Sequence, residues 1–190
     1  METPIIDLLE KYAGAGTLRC HMPGHKGCRR KAVGEVFPLD ITEIKGADSL
    51  FEASGIIRRS EQLISGLYGT ADTLFSAGGS TLCIQGMLAA MKLTGRHVIA
   101  ARNVHRAFLN AAALLDIQPE WLMPEYSGSL LTGEISPERA EEMLCKQKDP
   151  ACLYVTSPDY TGKCADIKAL AEVCHRHGAL LIVDNAHGAH

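Results

Sequence analysis

CLYVTSPDYTGKCADIKALAEVCHRHGALLIVDNAHGAH (152–190) reads as strand, helix, strand. The runs CLYVTS (152–157) and ALLIVD (179–184) are apolar without alternation. Between them Asp166 can cap a helix whose apolar residues Ile167, Leu170, Ala171 and Cys174 recur at helical spacing, and Gly178 follows its end. Strands that do not alternate are buried on both faces, so helices must cover both sides of the sheet they form.

Working outward, the same rhythm continues upstream. A helix is expected over 84–93, a buried strand at HVIAA (97–101), a helix over 104–115 and a short strand in QPEWLMP (118–124). Another helix should open at Ser136-Pro137-Glu138, where Ser can cap, Pro suits the first helical position and Glu complements the positive end of the dipole. The fold class is therefore α/β, a three-layer α/β/α sandwich with a mostly parallel sheet. The first 75 residues read differently: a Gly/Pro-rich HMPGHKG (21–27), a loop-like LDITEIKGADSL (39–50) and one helix over 57–68. No repeat, low-complexity tract or linker marks an interior boundary.

Composition narrows the function. With 190 residues, 46% of them hydrophobic, the chain can bury a core, and a net charge of -3 gives no reason to expect nucleic acid or an anionic membrane as partner. Seven cysteines without a C-x-x-C pair form neither a disulfide framework nor a zinc spacing, and are read as reduced thiols in a cytoplasmic protein. The acidic N-terminus is unlike a secretory signal, and no apolar run reaches membrane-spanning length. The expected partner is a small molecule.

Four constellations could carry chemistry. Ala77-Gly78-Gly79-Ser80-Thr81 before a helix could cradle a phosphate, with glycines for close approach, unpaired N–H donors and two hydroxyls, though the tripeptide alone is more often an ordinary loop and cap. Asp184, at the end of the most hydrophobic strand, could meet a protonated ring nitrogen or simply cap a turn. His105 in RNVHR (102–106), just past the HVIAA strand, could stack on a planar ring or shuttle a proton, though a lone His is more often a helix-start residue. His21 and His25 are four apart, but the Pro and Gly between them preclude the helix a metal pair needs; His187 and His190 lack a ligand frame, so no metal is expected.

Together HMPGHKG (21–27), DITEIKGADSLFEASGII (40–57), SAGGST (76–81), ARNVHRA (101–107), LYVTSPDYTGKCADI (153–167) and LLIVDNAHGAH (180–190) resemble the Orn/Lys/Arg decarboxylases of the aminotransferase-like fold I of pyridoxal-phosphate enzymes, in the short biosynthetic form. The resemblance implies the cofactor pyridoxal 5'-phosphate, with Ser80 and Thr81 on its phosphate and His105 stacked on the ring. It further implies Asp184 on the pyridine nitrogen, Ala186 on the opposite face and His187 at the 3-hydroxyl oxygen. His105, Asp184 and His187 are the implied catalytic residues. Also implied are decarboxylation of arginine, lysine or ornithine to a polyamine precursor and a homodimer or higher homo-oligomer.

In domain terms, 1–75 is expected as an N-terminal segment packing on the major domain and 76–190 as the first part of that domain. The remainder, with the lysine to which the family attaches its cofactor, is expected to be absent. None of Lys26, Lys45, Lys92, Lys146, Lys148, Lys163 or Lys168 has the family's Ser-x-His-Lys context, so the chain alone is expected to be inactive. Two positions depart from the family pattern: Asn185 replaces an acid, and SPDYTG replaces the commoner Pro-Thr-Tyr form. The alternatives are a noncatalytic relative that binds or regulates a decarboxylase, and another fold I enzyme such as an aminotransferase.

Overall fold

The computed structural model describes residues 2–28, 36–126, 128 and 133–188. These fall into two compact units, Met1–Ser76 and Ala77–His190.

The first unit holds α1 (Pro4–Gly14), α2 (Val36–Leu39) and α3 (Ile56–Tyr68). The expected helix over 57–68 is α3, closed by Gly69 at φ 65 in the left-handed region that a helix end commonly requires. Its start is organised from a distance in sequence by Asp48. That carboxylate accepts the backbone N–H groups of Ser54 at 3.0 Å, Gly55 at 2.8 Å and Ile57 at 3.0 Å, the last two being donors the helix start cannot satisfy itself. HMPGHKG forms turns rather than a helix. There Gly27 donates its N–H to His25 Nδ1, leaving Nε2 to donate to Asp40 at 3.0 Å, while the ring stacks on Phe37.

The second unit alternates helix and strand in chain order: α4 (Gly79–Leu93), β1 (His97–Ala101), α5 (Arg106–Leu114), β2 (Glu120–Leu122), α6 (Pro137–Leu144), β3 (Ala151–Thr156), α7 (Ile167–Arg176) and β4 (Leu180–Asp184). The four strands are parallel in the order β2-β1-β3-β4. Residue parity splits the core in two. Ile99, Leu153 and Val155 pack with Ala140, Leu144, Leu170 and Cys174 of α6 and α7, whereas Val98, Ala100, Cys152 and Tyr154 pack with Ile84, Leu88, Phe108 and Ala111 of α4 and α5. The sheet thus lies between two helical layers, the α/β/α sandwich expected from the sequence.

Caps follow the residues that predict them. Ser136 Oγ accepts the Arg139 N–H at 3.2 Å and Asp166 Oδ1 the Ala169 N–H at 3.0 Å. Two expectations need correction. Helix α4 begins at Gly79, five residues before the first apolar-periodic position, Ile84. Gly79 takes φ 64, which lets the chain turn straight into the helix and puts Ser80 and Thr81 in its first turn rather than in a preceding loop. Strand β3 is buried throughout, but β4 is not: it pairs only with β3 among the described residues, and Leu180 is 42% exposed.

Candidate functional site

The carboxyl ends of β1, β3 and β4 lie at one rim of the sheet, where open α/β folds bind ligands. On the α4/α5 side of that rim, a cavity of about 180 Å³ is lined by Ser80, Thr81, His105, Asp184, Ala186 and His187, with Ile84, Ala107 and Thr156 completing it. Four separate stretches of chain bring these residues together. Ser80 and Thr81 come from the start of α4, where the first backbone N–H groups have no partner within the helix and the dipole favours an anion. His105 is the N-cap of α5 and accepts the Ala107 N–H on Nδ1 at 3.1 Å, so the neutral ring carries its proton on Nε2.

Asp184 closes β4. It is 6% exposed, and each carboxylate oxygen has one donor: the Ala186 N–H on Oδ1 at 3.2 Å and the Tyr154 hydroxyl on Oδ2 at 3.2 Å. Burial, reinforced by the neighbouring carboxylate, pushes the Tyr154 phenol upward, so this hydroxyl stays a donor. Ala186 and His187 follow within three residues and are exposed at the cavity mouth. The Tyr160 ring stands 5.9 Å from that of His105 and 5.3 Å from that of His187. His190, the other half of the terminal histidine pair, lies outside the described residues.

Thr156 and Tyr154 were not singled out from the sequence. Strand parity could have found them, because the β3–β4 register sets Thr156 opposite Asp184 and Tyr154 opposite Ile182, all on the α4/α5 face. Thr156 is 5% exposed, and its Oγ1 has no hydrogen-bond partner among the described residues. A buried hydroxyl without a partner is uncommon, and here it adjoins a cavity that a polar ligand could fill. Hydroxyls, helix N–H groups, a carboxylate and an imidazole lining one cavity suit a planar cofactor bearing a phosphate and a basic ring nitrogen. A larger cavity, about 420 Å³, lies by the starts of α6 and α7. Its carboxylates are already engaged: Asp159 accepts from Thr161, Asp166 caps α7, and Glu134 pairs with Lys163 at 3.6 Å.

The description "Orn/Lys/Arg decarboxylase, major domain" matches residues 3–190. The chain belongs to the Orn/Lys/Arg decarboxylase family. Within curated proteins it is similar to an arginine decarboxylase of Bacillus subtilis (strain 168), 32% identical over 197 residues that cover 100% of this chain and 40% of the relative. An arginine decarboxylase of Halalkalibacterium halodurans is 29% identical with the same coverage. The chain thus spans about 40% of the length of these family members. Of solved structures, lysine decarboxylase A from Pseudomonas aeruginosa superposes with a TM-score of 0.74 at 19% identity, covering 90% of this chain and 26% of that one. A Sphingomonas wittichii serine palmitoyltransferase superposes at 0.56 with 14% identity, covering 96% of this chain and 38% of that one. At such identities these two structures speak for the fold, and both share the decarboxylase family's α/β architecture.

Proposed function

We propose that this chain supplies the pyridoxal-phosphate pocket of a decarboxylase acting on a basic amino acid. The observation that carries the proposal is the convergence of Ser80, Thr81, His105, Asp184, Ala186 and His187 on one cavity at the strand ends. Ser80 and Thr81, with the first N–H groups of α4, would receive the phosphate. Asp184 would hold the proton of the ring nitrogen, His105 and Ala186 would take the two ring faces, and His187 would meet the 3-hydroxyl oxygen. When bound, pyridoxal phosphate supplies an electron sink for the charge left at Cα when a carboxylate departs as carbon dioxide. Asp184, desolvated and clamped on both oxygens, would keep that sink effective. Tyr160, beside the His105 and His187 rings, would limit water access from the exposed side.

Arginine, lysine or ornithine is the proposed substrate class, supported by the arginine decarboxylase relatives and the lysine decarboxylase fold neighbour. A soluble homo-oligomer is proposed with it; among the described residues no helix is long and apolar enough to cross a membrane. The test is Asp184→Ala in a full-length protein carrying this sequence, read as carbon dioxide release from each amino acid and as pyridoxal-phosphate affinity. Losing a preorganised electrostatic partner should lower turnover roughly 10²- to 10³-fold. Near-normal turnover and affinity would overturn the reading.

A further inference from the structure

We propose that Tyr154 is a positioning residue, whose hydroxyl holds the Asp184 carboxylate in the orientation that presents it to the cofactor's ring nitrogen. The inference rests on the pyridoxal-phosphate reading of the cavity and adds a residue that the reading does not itself require.

A carboxylate at the end of a strand turns about its Cβ–Cγ bond unless something holds it, since that torsion is broad. Here two donors hold it, one on each oxygen, at 3.2 Å each. The Ala186 N–H belongs to the same turn and moves with Asp184, so it fixes the carboxylate relative to its own backbone alone. Tyr154 is different. It stands on β3, the strand buried throughout, is 0% exposed, and its ring packs against Phe108 at 4.5 Å between centroids. Its hydroxyl therefore ties the carboxylate to the rigid centre of the sheet. The register strengthens the tie, because Thr156 pairs with Asp184 and the Ser157 N–H donates to the Asp184 carbonyl at 3.0 Å. With one lone pair of each oxygen taken, Asp184 keeps acceptor capacity toward the cavity. A buried tyrosine hydroxyl needs an acceptor in any case, so a purely structural role is the competing explanation, and the experiment must separate the two.

The experiment measures pyridoxal-phosphate affinity, and the protonation of its ring nitrogen by ¹⁵N NMR of the labelled cofactor. The proteins are a full-length protein carrying this sequence and its Tyr154→Phe, Asp184→Asn and double variants. Tyr154→Phe should weaken binding about tenfold, the size of one hydrogen bond to a charged group, and the bound ring nitrogen should lose its proton at lower pH. In the Asp184→Asn background the same change should do nothing further, because its effect passes through Asp184. Equal weakening in both backgrounds, or an unchanged ring-nitrogen titration in Tyr154→Phe, overturns the proposal. Unchanged binding in Asp184→Asn, or no binding by the unmutated full-length protein, overturns instead the cofactor reading beneath it. Should Tyr154→Phe fail to fold, 3-fluorotyrosine at position 154 keeps the hydroxyl and reports by ¹⁹F NMR. A signal that moves on adding pyridoxal phosphate, and does not move in Asp184→Asn, supports the proposal; one that stays still in both overturns it.

Discussion

Leu153→Ala should unfold this chain far more readily than Leu180→Ala, although the chemistry removed is identical. Leu153 lies in β3 with 0% exposure, amid Ile99, Val155, Leu170 and Cys174. Truncating such a side chain loses its transfer free energy and leaves a cavity that close packing cannot fill, typically about 2–5 kcal/mol. Leu180 lies one strand over in β4 at 42% exposure, so much of its surface is already in water and little cavity forms. Full burial of a leucine contributes about 1.5–3 kcal/mol, and for a side chain exposed to this degree the cost should be about 1 kcal/mol. The gap of roughly 2 kcal/mol corresponds to about 4–8 °C in Tm for a chain of this size. Urea unfolding followed by far-UV circular dichroism, with both variants at one protein concentration, measures it. Equal losses would refute the difference in burial between Leu153 and Leu180.

Two further outcomes are expected. The Asp48 carboxyl is held down to about 2 from its ordinary 3.8, chiefly by the Ser54 N–H, against the opposing effect of burial and with help from the N–H groups of Gly55, Ser49 and Ile57. A folded value below the unfolded one means that this contribution to stability is present above pH 3.8 and is lost as pH falls from there through about 2. Urea midpoints across that window should drop for the unmutated chain and drop less for Asp48→Asn; parallel curves would contradict the assignment. At His105, Ala removes both the α5 cap and the proposed stacking ring, whereas Asn keeps a capping acceptor. His105→Ala should therefore lose about 1 kcal/mol and cofactor affinity, while His105→Asn recovers the Tm and leaves affinity low. Recovery of both by Asn would show that the ring does not stack.

Much of the second unit was legible because its signals are local. HVIAA is β1 residue for residue, and the Ser136 and Asp166 caps open the helices they announce. Apolar periodicity placed the start of α4 too late, since its first turn is Gly-Ser-Thr and buries nothing. Helix α1 went unread although Ile5, Leu8, Leu9 and Tyr12 recur at helical spacing; none of its residues is buried. The partial exposure of β4 could not be read from ALLIVD, because composition records how apolar a strand is and pairing decides what covers it. For the candidate site, each motif taken alone left an ordinary alternative open, and the order of the motifs along the chain pointed to the family. Tyr154 escaped because it sits inside an apolar run, where its hydroxyl looks incidental until the register sets it two residues short of the position opposite Asp184.

The floor of this cavity and the centre of the fold are built from the same strand. A change at Tyr154 disturbs the packing around Phe108 as it loosens Asp184, so drift there is filtered by stability before chemistry is tested. Ser80, Thr81 and His105 stand at helix starts, where a substitution spares the core but touches the proposed cofactor contacts. Directed evolution toward a different amino acid would therefore find its room at the exposed mouth, with β3 as the fixed frame against which each new pocket is measured.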